Sequence, residues 1–303
     1  MSLVEYRIDG VYDKEQHAIE TLQAFAPEEG YYVAFSGGKD SVCIKKLCDL
    51  AGVKYDAHYR VTSIDPPELV QFIKREYPDV EFDKPRDKNG KQITMMSLIS
   101  HRGIPPTRFA RYCCEDLKET GGYGRMTVTG VRWAESNNRK ENQGLVTVVN
   151  KGSLDESIPE GFERAPKGGL ILNNDNDEAR DFLESCYRRK ATLINPIIDW
   201  EDEDVWEFIH KHNIPYCELY DKGWKRLGCI GCPMGRNQAE ELERYPKYKN
   251  MYLMAFAKLI EYRKSKGYES YSWKTPEDVM NWWLSPERKE PDKQLEGQME
   301  MEL

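Results

Sequence analysis

A six-residue segment with two adjacent glycines, Ser36–Ser41, constrains the fold of this chain more than any other feature. It follows Tyr31–Phe35, a short apolar run of the length that is typical of a buried strand. After the segment, three apolar residues fall on one side of a helix that Gly52 closes, namely Val42, Leu47 and Leu50. The pattern therefore predicts a strand, a glycine turn and a helix in direct succession. An ordinary tight turn between strand and helix is the alternative to a functional loop.

The side chains of this segment suit a phosphate group. In order they are Ser36, Gly37, Gly38, Lys39, Asp40 and Ser41. Two glycines let backbone N–H groups approach an anion, and the N-terminus of the following helix adds partial positive charge. Lys39 can neutralise a phosphate, and the serine hydroxyls can donate hydrogen bonds to it. Asp40 can orient the loop or help to hold Mg²⁺. The segment is not a Walker loop, which has four residues between its glycines.

Length and charge narrow the class of protein. The 303 residues, 39% of them hydrophobic, suffice for a large domain with a smaller appendage. No run approaches the roughly 18 apolar residues of a membrane helix, and residues 1–13 contain no apolar signal core, so we expect a cytoplasmic protein that binds no membrane. The net charge of −8 argues against indiscriminate binding along nucleic acid, although a local basic groove is compatible with it.

Strand and helix patterns alternate along most of the chain. Besides the elements around the glycine turn, strands are predicted at residues 55–64, 80–82 and 125–131, and helices at residues 18–25, from Pro67, and at 95–99 and 202–210. Such alternation predicts an α/β fold, a parallel sheet with helices on both faces.

The alternation is interrupted once and then gives way to helices. Residues 137–180 are polar and predict an insertion, with a hairpin between residues 145–149 and 170–172. Helices rich in Tyr and Trp are predicted at residues 238–266 and 276–284. We therefore predict a nucleotide-binding domain over residues 1–236, with the insertion at about 137–180, and a helical C-terminal extension over residues 237–303.

The chain has eight cysteines. Because we expect it in a reducing compartment, cysteines that are clustered in sequence indicate metal binding or reactivity rather than disulfide bonds. Four are clustered, namely Cys113, Cys114, Cys229 and Cys232. Four thiolates suit a [4Fe-4S] cluster or a tetrahedral Zn²⁺ ion. The side chains of adjacent cysteines point in divergent directions. The separate iron atoms at the corners of a cluster accommodate such directions more easily than one small ion does, so we predict the cluster. Zn²⁺ and structural thiols are the alternatives. The remaining cysteines are expected to be buried hydrophobes.

The glycine segment resembles the signature of the PP-loop superfamily of ATP pyrophosphatases. Further motifs resemble the phosphoadenosine phosphosulfate reductase family, at Thr62–Glu68, Arg111–Lys118, Gly130–Arg139, Asn195–Trp206 and Pro215–Gly223. Together these cover residues 31–235 apart from the insertion. The resemblance implies an adenine-nucleotide alpha-hydrolase-like (Rossmann-like) fold. It also implies an iron–sulfur site like that of the cluster-bearing members, which have the same spacing of cysteines.

The resemblance assigns roles to individual residues. Lys39, Asp40 and Arg132 are the implied catalytic residues. Nucleotide contacts are implied for the whole segment 36–41 and for residues after two further strands, namely Thr62, Asp65, Gly130, Arg132, Glu135, Ser136 and Arg139. Loops that follow the strands of a parallel sheet are where ligands usually bind, and arginine suits bidentate contacts with phosphate. A solvated loop is the alternative for the residues after Arg132.

Two features depart from the reductases of this family. Those enzymes share a C-terminal Glu-Cys-Gly-(Ile/Leu)-His motif whose cysteine attacks the sulfonate, whereas no cysteine follows Cys232 here. The segment 36–41 also keeps the full form that resembles ATP-hydrolysing members. We therefore predict ATP and Mg²⁺ as ligands, and pyrophosphate-releasing adenylylation in sulfur transfer or sulfur metabolism as the activity. A thiol-dependent (phospho)adenylylsulfate reductase and a non-catalytic iron–sulfur nucleotide sensor or partner subunit are the alternatives.

The expected partners follow from this activity. The chain is expected to bind a small-molecule nucleotide, and a sulfur-donor protein is a compatible partner. A nucleic-acid substrate and a homo-oligomer are also compatible with the sequence, although the overall charge does not favour nucleic acid.

Overall fold

The computed structural model describes residues 2–8, 10–149, 162–167, 169–173, 191–235, 237–268 and 273–285. Two compact units make up the chain. The sheet unit comprises Met1–Pro85 and Leu117–Gly228, and the helical unit comprises Arg86–Asp116 and Cys229–Leu303. These boundaries differ from the predicted division at residue 236, because the segment Arg86–Asp116 groups with the C-terminal helices. Much of the predicted insertion lies outside the described residues.

Ten described strands form two sheets in the sheet unit. They are β1 Val4–Arg7, β2 Gly10–Asp13, β3 Tyr31–Ala34, β4 Tyr55–Arg60, β5 Glu81–Asp83, β6 Met126–Val128, β7 Val146–Val149, β8 Phe162–Arg164, β9 Leu170–Leu172 and β10 Ala191–Ile194. β1 and β2 form an antiparallel hairpin. The main sheet has the order β5-β4-β3-β6-β10-β7-β9-β8, and its first five strands run parallel. The predicted α/β fold is confirmed.

The antiparallel half of the main sheet departs from the prediction. β7 and β9 correspond to the predicted hairpin, and they do pair antiparallel, but β7 also pairs with β10 and so extends the main sheet. The sequence pattern does not predict β10, because only Leu193 and Ile194 form an apolar run after Thr192, and the strand follows three basic residues, Arg188, Arg189 and Lys190. β10 nevertheless lies between the parallel and antiparallel strands.

Most of the described helices occupy predicted positions, but the short helices Tyr112–Cys114 and Asn137–Asn142 are not predicted from the sequence, and two helices replace the one predicted over residues 238–266. The described helices are α1 Lys14–Ala24, α2 Lys39–Ala51, α3 Pro67–Glu76, α4 Met95–Arg102, α5 Tyr112–Cys114, α6 Asn137–Asn142, α7 Asp202–Lys211, α8 Gln238–Arg244, α9 Pro246–Ser265 and α10 Pro276–Leu284. α2 ends at Gly52 in the left-handed conformation, which glycine adopts without a steric penalty. Among the described residues, no helix is long and apolar enough to cross a membrane.

The core of the helical unit is aromatic. α4 packs along α9, and α10 packs on the same helix. Trp283 is fully buried against Tyr252 and Phe256, and its indole N–H donates to the carbonyl of Pro106 at 2.6 Å. These aromatic residues serve packing, as their helical spacing predicts.

A buried ion pair joins α1 to α7 in the sheet unit. Lys14 Nζ lies 2.5 Å from Asp204 Oδ2, and their side chains are only 2% and 0% exposed. The same carboxylate oxygen accepts the backbone N–H of Glu201 at 2.8 Å, which caps the start of α7. Asp204 thus fixes the N-terminal turn of α7 in position.

Replacing this carboxylate tests how far α7 depends on the pair. Asp204→Asn should lower the free energy of unfolding by about 2–3 kcal/mol, because it leaves Lys14 buried with only the half-exposed Glu5 as a partner. Urea unfolding monitored by circular dichroism measures the change. Glu203→Gln, an exposed neutralisation one residue away, serves as the control and should stay within about 0.5 kcal/mol of the parent.

Candidate functional site

The loop between β3 and α2 is a tight turn that packs against α3. Gly37 has a φ of +73°, and a Cβ at this position would lie 2.7 Å from Cδ1 of Ile73 in α3. Only glycine therefore fits there. Gly38 caps α2, and the hydroxyl of Ser41 donates to the Gly38 carbonyl at 2.8 Å. Ser36 is exposed at the start of the loop. The turn places the N-terminus of α2 at the carboxyl end of β3, as predicted.

Four charged side chains meet beside this loop and form what we call the ion-pair network, comprising Lys39, Asp40, Arg132 and Asp202. Lys39 Nζ lies 3.2 Å from Asp40 Oδ1 and 2.9 Å from Asp202 Oδ1. Arg132 Nε lies 2.7 Å from Asp40 Oδ1, and Arg132 Nη2 lies 2.5 Å from Asp202 Oδ1. Both cations therefore contact the same two carboxylate oxygens.

The two cations are buried and charged. Lys39 is 5% exposed and Arg132 is 2% exposed. Burial lowers the pKa of Arg132, but Asp40 and Asp202 more than compensate and raise it. Partial burial raises the pKa of Asp202, yet the hydrogen bonds from Lys39 and Arg132 bring it below its usual value. The network therefore places two buried cations, each paired with two carboxylates, next to a helix N-terminus.

Gly130 lets the end of β6 approach the loop. A Cβ at Gly130 would lie 2.9 Å from Asp40 Cβ and 3.1 Å from the Asp40 carbonyl carbon. Such a distance is below van der Waals contact, so even alanine would force Asp40 and the start of α2 to move. Arg132 lies only two residues further along the chain, and its Nη1 donates to the carbonyl of Trp200 at 3.1 Å.

Thr62 and Asp65 follow β4, the strand next to β3 in the sheet. Both are buried, and the Thr62 hydroxyl donates to Asp65 Oδ2 at 2.7 Å. The hydroxyl of Tyr59 donates to the same oxygen. Ser63 between them has a φ of +71°, a left-handed conformation that is uncommon for serine. These contacts brace the loop after β4, and a nucleotide contact for Thr62 and Asp65 stays a prediction.

Glu135, Ser136 and Arg139 support the segment that carries Arg132. Glu135 accepts the backbone N–H of Arg132 at 3.2 Å and pairs with the guanidinium of Arg139. Ser136 caps α6 by accepting the N–H of Arg139 at 3.3 Å. Glu135 and Ser136 are exposed. These contacts lie within one short segment, and a role of the three residues towards a nucleotide stays a prediction.

The four clustered cysteines all belong to the helical unit. Cys113 and Cys114 lie in α5, Cys229 and Cys232 lie in the turn before α8, and all four are half-buried. A hydrogen bond with the Cys114 thiol, burial, and the charges of Cys114, Cys229 and Cys232 raise the pKa of Cys113. Cys43, Cys48 and Cys217 are buried as predicted, and Cys186 lies outside the described residues.

The described residues contain one group of three potential metal ligands within 4.8 Å of one another, and it is not formed by the cysteines. It consists of His58, Glu81 and Asp83 on β4 and β5. The His58 ring also stacks on Tyr32, with centroids 4.3 Å apart.

Two residues of the site are not predicted from the sequence. Asp202 belongs to an acidic run at the start of α7. Carboxylates are common at helix N-termini for electrostatic reasons alone, so the sequence pattern does not distinguish Asp202 as a member of the network. Tyr220 accepts the backbone N–H of Lys39 at 2.8 Å from 181 residues further along the chain. Only the folded chain brings these groups to the loop.

Gly130→Ala tests whether close approach of β6 shapes the site. The added methyl group should displace Asp40 and weaken the binding of inorganic pyrophosphate by at least about tenfold, because the two cations lose their alignment. Gly228→Ala is the matched control, since a Cβ at Gly228 meets no atom within 4 Å. Isothermal titration calorimetry compares the variants. Unchanged affinity in Gly130→Ala would contradict the assigned role.

Two solved structures are similar to parts of this chain at low TM-scores. Phosphoadenylyl-sulfate reductase from Candida auris, in a phosphate complex, has a TM-score of 0.41 and 15% identity, covering 70% of this chain and 87% of that chain. FMN adenylyltransferase from Candida glabrata, with FMN and an ATP analog, has a TM-score of 0.40 and 15% identity, covering 76% of this chain and 73% of that chain.

Sequence relatives are more informative. An uncharacterized protein of Methanocaldococcus jannaschii is 28% identical over 309 aligned positions, which cover 96% of this chain and 62% of that protein. An adenosine 5'-phosphosulfate reductase of Oceanobacillus iheyensis is 44% identical over 52 residues, 17% of this chain and 22% of that protein. The chain thus spans less than two thirds of the length of these relatives.

The family itself follows from a match over most of the chain. The phosphoadenosine phosphosulfate reductase domain matches residues 30–234, which include the loop after β3, the end of β6 and the start of α7. The mostly parallel sheet with intervening helices agrees with the adenine-nucleotide alpha-hydrolase-like fold that the sequence motifs imply. The chain therefore belongs to the phosphoadenosine phosphosulfate reductase domain family.

Proposed function

We propose that this protein is an ATP-dependent adenylylating enzyme that cleaves ATP between its α- and β-phosphates and releases pyrophosphate. One observation carries the proposal. Two buried cations, Lys39 and Arg132, converge beside the N-terminus of α2 at an intact Ser-Gly-Gly-Lys-Asp-Ser loop. This arrangement suits a ligand with several phosphate charges, because each cation can stabilise a different oxygen.

The proposed reaction is an in-line displacement at the α-phosphate. An acceptor oxygen forms a bond to the α-phosphorus, the bond from that phosphorus to the bridging oxygen breaks, and pyrophosphate leaves with the bonding electrons. The acceptor's proton passes to solvent. Lys39, Arg132 and the N–H groups at the start of α2 stabilise the negative charge that grows on the departing pyrophosphate. Mg²⁺ is proposed to arrive with ATP and to neutralise part of the same charge.

The remaining predicted residues have supporting roles in this proposal. Thr62 and Asp65 shape the loop after β4, and Glu135, Ser136 and Arg139 hold the Arg132 segment within reach of the nucleotide. A sulfur-bearing donor then displaces AMP from the adenylylated acceptor. The local similarity to an adenosine 5'-phosphosulfate reductase supports a role in sulfur metabolism. A sulfur-donor protein as partner and a cytoplasmic location belong to the same proposal.

ATP cleavage gives the direct test. Incubating the protein with α-labelled ATP, Mg²⁺ and candidate acceptors such as sulfate or tRNA should release AMP or an adenylylated product together with pyrophosphate. Lys39→Ala should lower this rate by at least about 100-fold, because it removes a charge that acts in the transition state. Lys46→Ala, on the same helix and half-buried, is the matched control and should retain the rate.

Two outcomes would contradict adenylylation. Release of sulfite from phosphoadenosine phosphosulfate and a thiol, with no AMP from ATP, would identify a reductase. Tight ATP binding that Lys39→Ala abolishes, without turnover by the parent protein under any condition, would identify a nucleotide sensor or partner subunit.

We also propose that Cys113, Cys114, Cys229 and Cys232 hold a [4Fe-4S] cluster. The residues fit such a group, because four cysteine side chains from two segments belong to one compact unit. When bound, the cluster supplies four iron–sulfur bonds that tie α5 to the turn before α8. The sulfur of Cys113 and that of Cys229 belong to segments more than one hundred residues apart in sequence, so these bonds would restrain the helical unit considerably.

The adjacency of Cys113 and Cys114 favours the cluster over Zn²⁺. The side chains of adjacent cysteines point in divergent directions. A cluster binds each sulfur through a separate iron atom, whereas a single Zn²⁺ ion would need all four sulfur atoms about 3.8 Å apart.

Metal analysis after anaerobic purification distinguishes these assignments. The parent protein should contain about four irons per chain and show visible absorbance from iron–sulfur charge transfer. Cys229→Ser should lose both iron and absorbance. Cys48→Ala removes a buried thiol in α2 and is the matched control, so it should keep both. One Zn²⁺ per chain, lost in Cys229→Ser, would contradict the cluster.

A further inference from the structure

The anion site of the sheet unit is filled by a carboxylate of the chain itself. Asp202 Oδ1 lies 2.9 Å from Lys39 Nζ and 2.5 Å from Arg132 Nη2, which are the distances of charge-assisted hydrogen bonds. A phosphate oxygen that took over either contact, with Lys39 Nζ or with Arg132 Nη2, would need the position of Asp202 Oδ1. Asp202 and an incoming phosphate group therefore exclude each other.

The two carboxylates of the ion-pair network differ in their freedom to leave. The side chain of Asp40 is 24% exposed. It packs directly against Gly130, since a Cβ on that glycine would lie only 2.9 Å from Asp40 Cβ. The side chain of Asp202 is 63% exposed, at the first position of α7. Rotation about its side-chain bonds can take the Asp202 carboxylate into water without moving the helix. Asp40 is thus a fixed member of the network, and Asp202 is an exchangeable one.

We propose that Asp202 is an internal stand-in for phosphate, which pairs with both cations and is displaced when a polyphosphate binds. The inference rests on the proposed function, because it concerns the same phosphate site. Asp202 neutralises part of the charge of Lys39 and Arg132, which avoids leaving two nearly buried positive charges with Asp40 alone.

Displacement of Asp202 adds the same penalty to the binding of every anion. A ligand that brings one charge gains little from exchanging one carboxylate contact for another. A polyphosphate brings several charges and can contact the loop N–H groups as well, so it overcomes the penalty. Asp202 thereby acts as a specificity-determining residue that discriminates against small monoanions.

The sign of a binding change tests this inference. Asp202→Asn keeps the shape of the side chain and removes its charge, so the affinity for inorganic pyrophosphate without Mg²⁺ should rise by about tenfold or more. Glu203→Gln removes the same charge from the adjacent, exposed position. Glu203→Gln should change the affinity by no more than about twofold. This control measures how much the loss of one nearby negative charge by itself affects anion binding. Isothermal titration calorimetry of the full chain gives the affinities.

A stability measurement separates the stand-in from a residue that merely organises the site. Asp202→Asn should lower the melting temperature of the ligand-free protein, and pyrophosphate should raise that temperature by more than it does in the parent protein. Weaker pyrophosphate binding in Asp202→Asn would overturn the inference, since it would mean that Asp202 positions Lys39 and Arg132 for the ligand. Equal tightening in Asp202→Asn and Glu203→Gln would also overturn it.

The two proposals fail in different ways. If no phosphate ligand uses this site, neither the parent protein nor either variant will bind pyrophosphate, and the proposed function is wrong together with the inference. If the parent protein binds pyrophosphate and cleaves ATP while Asp202→Asn shows no gain in affinity, the proposed function stands and only the inference fails.

Discussion

The ion-pair network beside the loop after β3 is the interaction on which the rest of the site depends. Arg132 is 2% exposed and Lys39 is 5% exposed, so each cation needs an anionic partner inside the fold. Asp40 and Asp202 provide these partners from the start of two different helices, α2 and α7. Four charges from three distant segments of the chain are therefore held in one place, and each limits where the others can lie.

The surrounding fold meets this constraint through close backbone approach and buried polar contacts. Gly130 allows the end of β6 to touch Asp40, which brings Arg132 to the loop. The buried pair of Lys14 and Asp204 fixes the first turn of α7, and with it the position from which Asp202 reaches the cations. The ion-pair network is thus supported by residues that are not members of it, and α7 connects a buried structural pair with Asp202.

Much of this arrangement is accessible from local sequence, and the failures have a common origin. The strand, turn and helix around Gly37 and Gly38 are predicted because the required residue types are consecutive. β10 escapes prediction because a four-residue strand in the middle of a sheet is specified by its neighbours on both sides. Asp202 escapes because an acidic residue at a helix start already has a local explanation.

The sequence by itself determined the glycine loop, the α/β class and the positions of most of the described helices, since each of these is encoded in residues that are close in the chain. Tertiary structure alone decided that Arg132 and Asp202 lie beside Lys39 and that the Tyr220 hydroxyl accepts the backbone N–H of Lys39. These are contacts between residues 70 to 181 positions apart. Local periodicity and spacing carry no information about such distances, because only the order of strands and the packing of helices establish them.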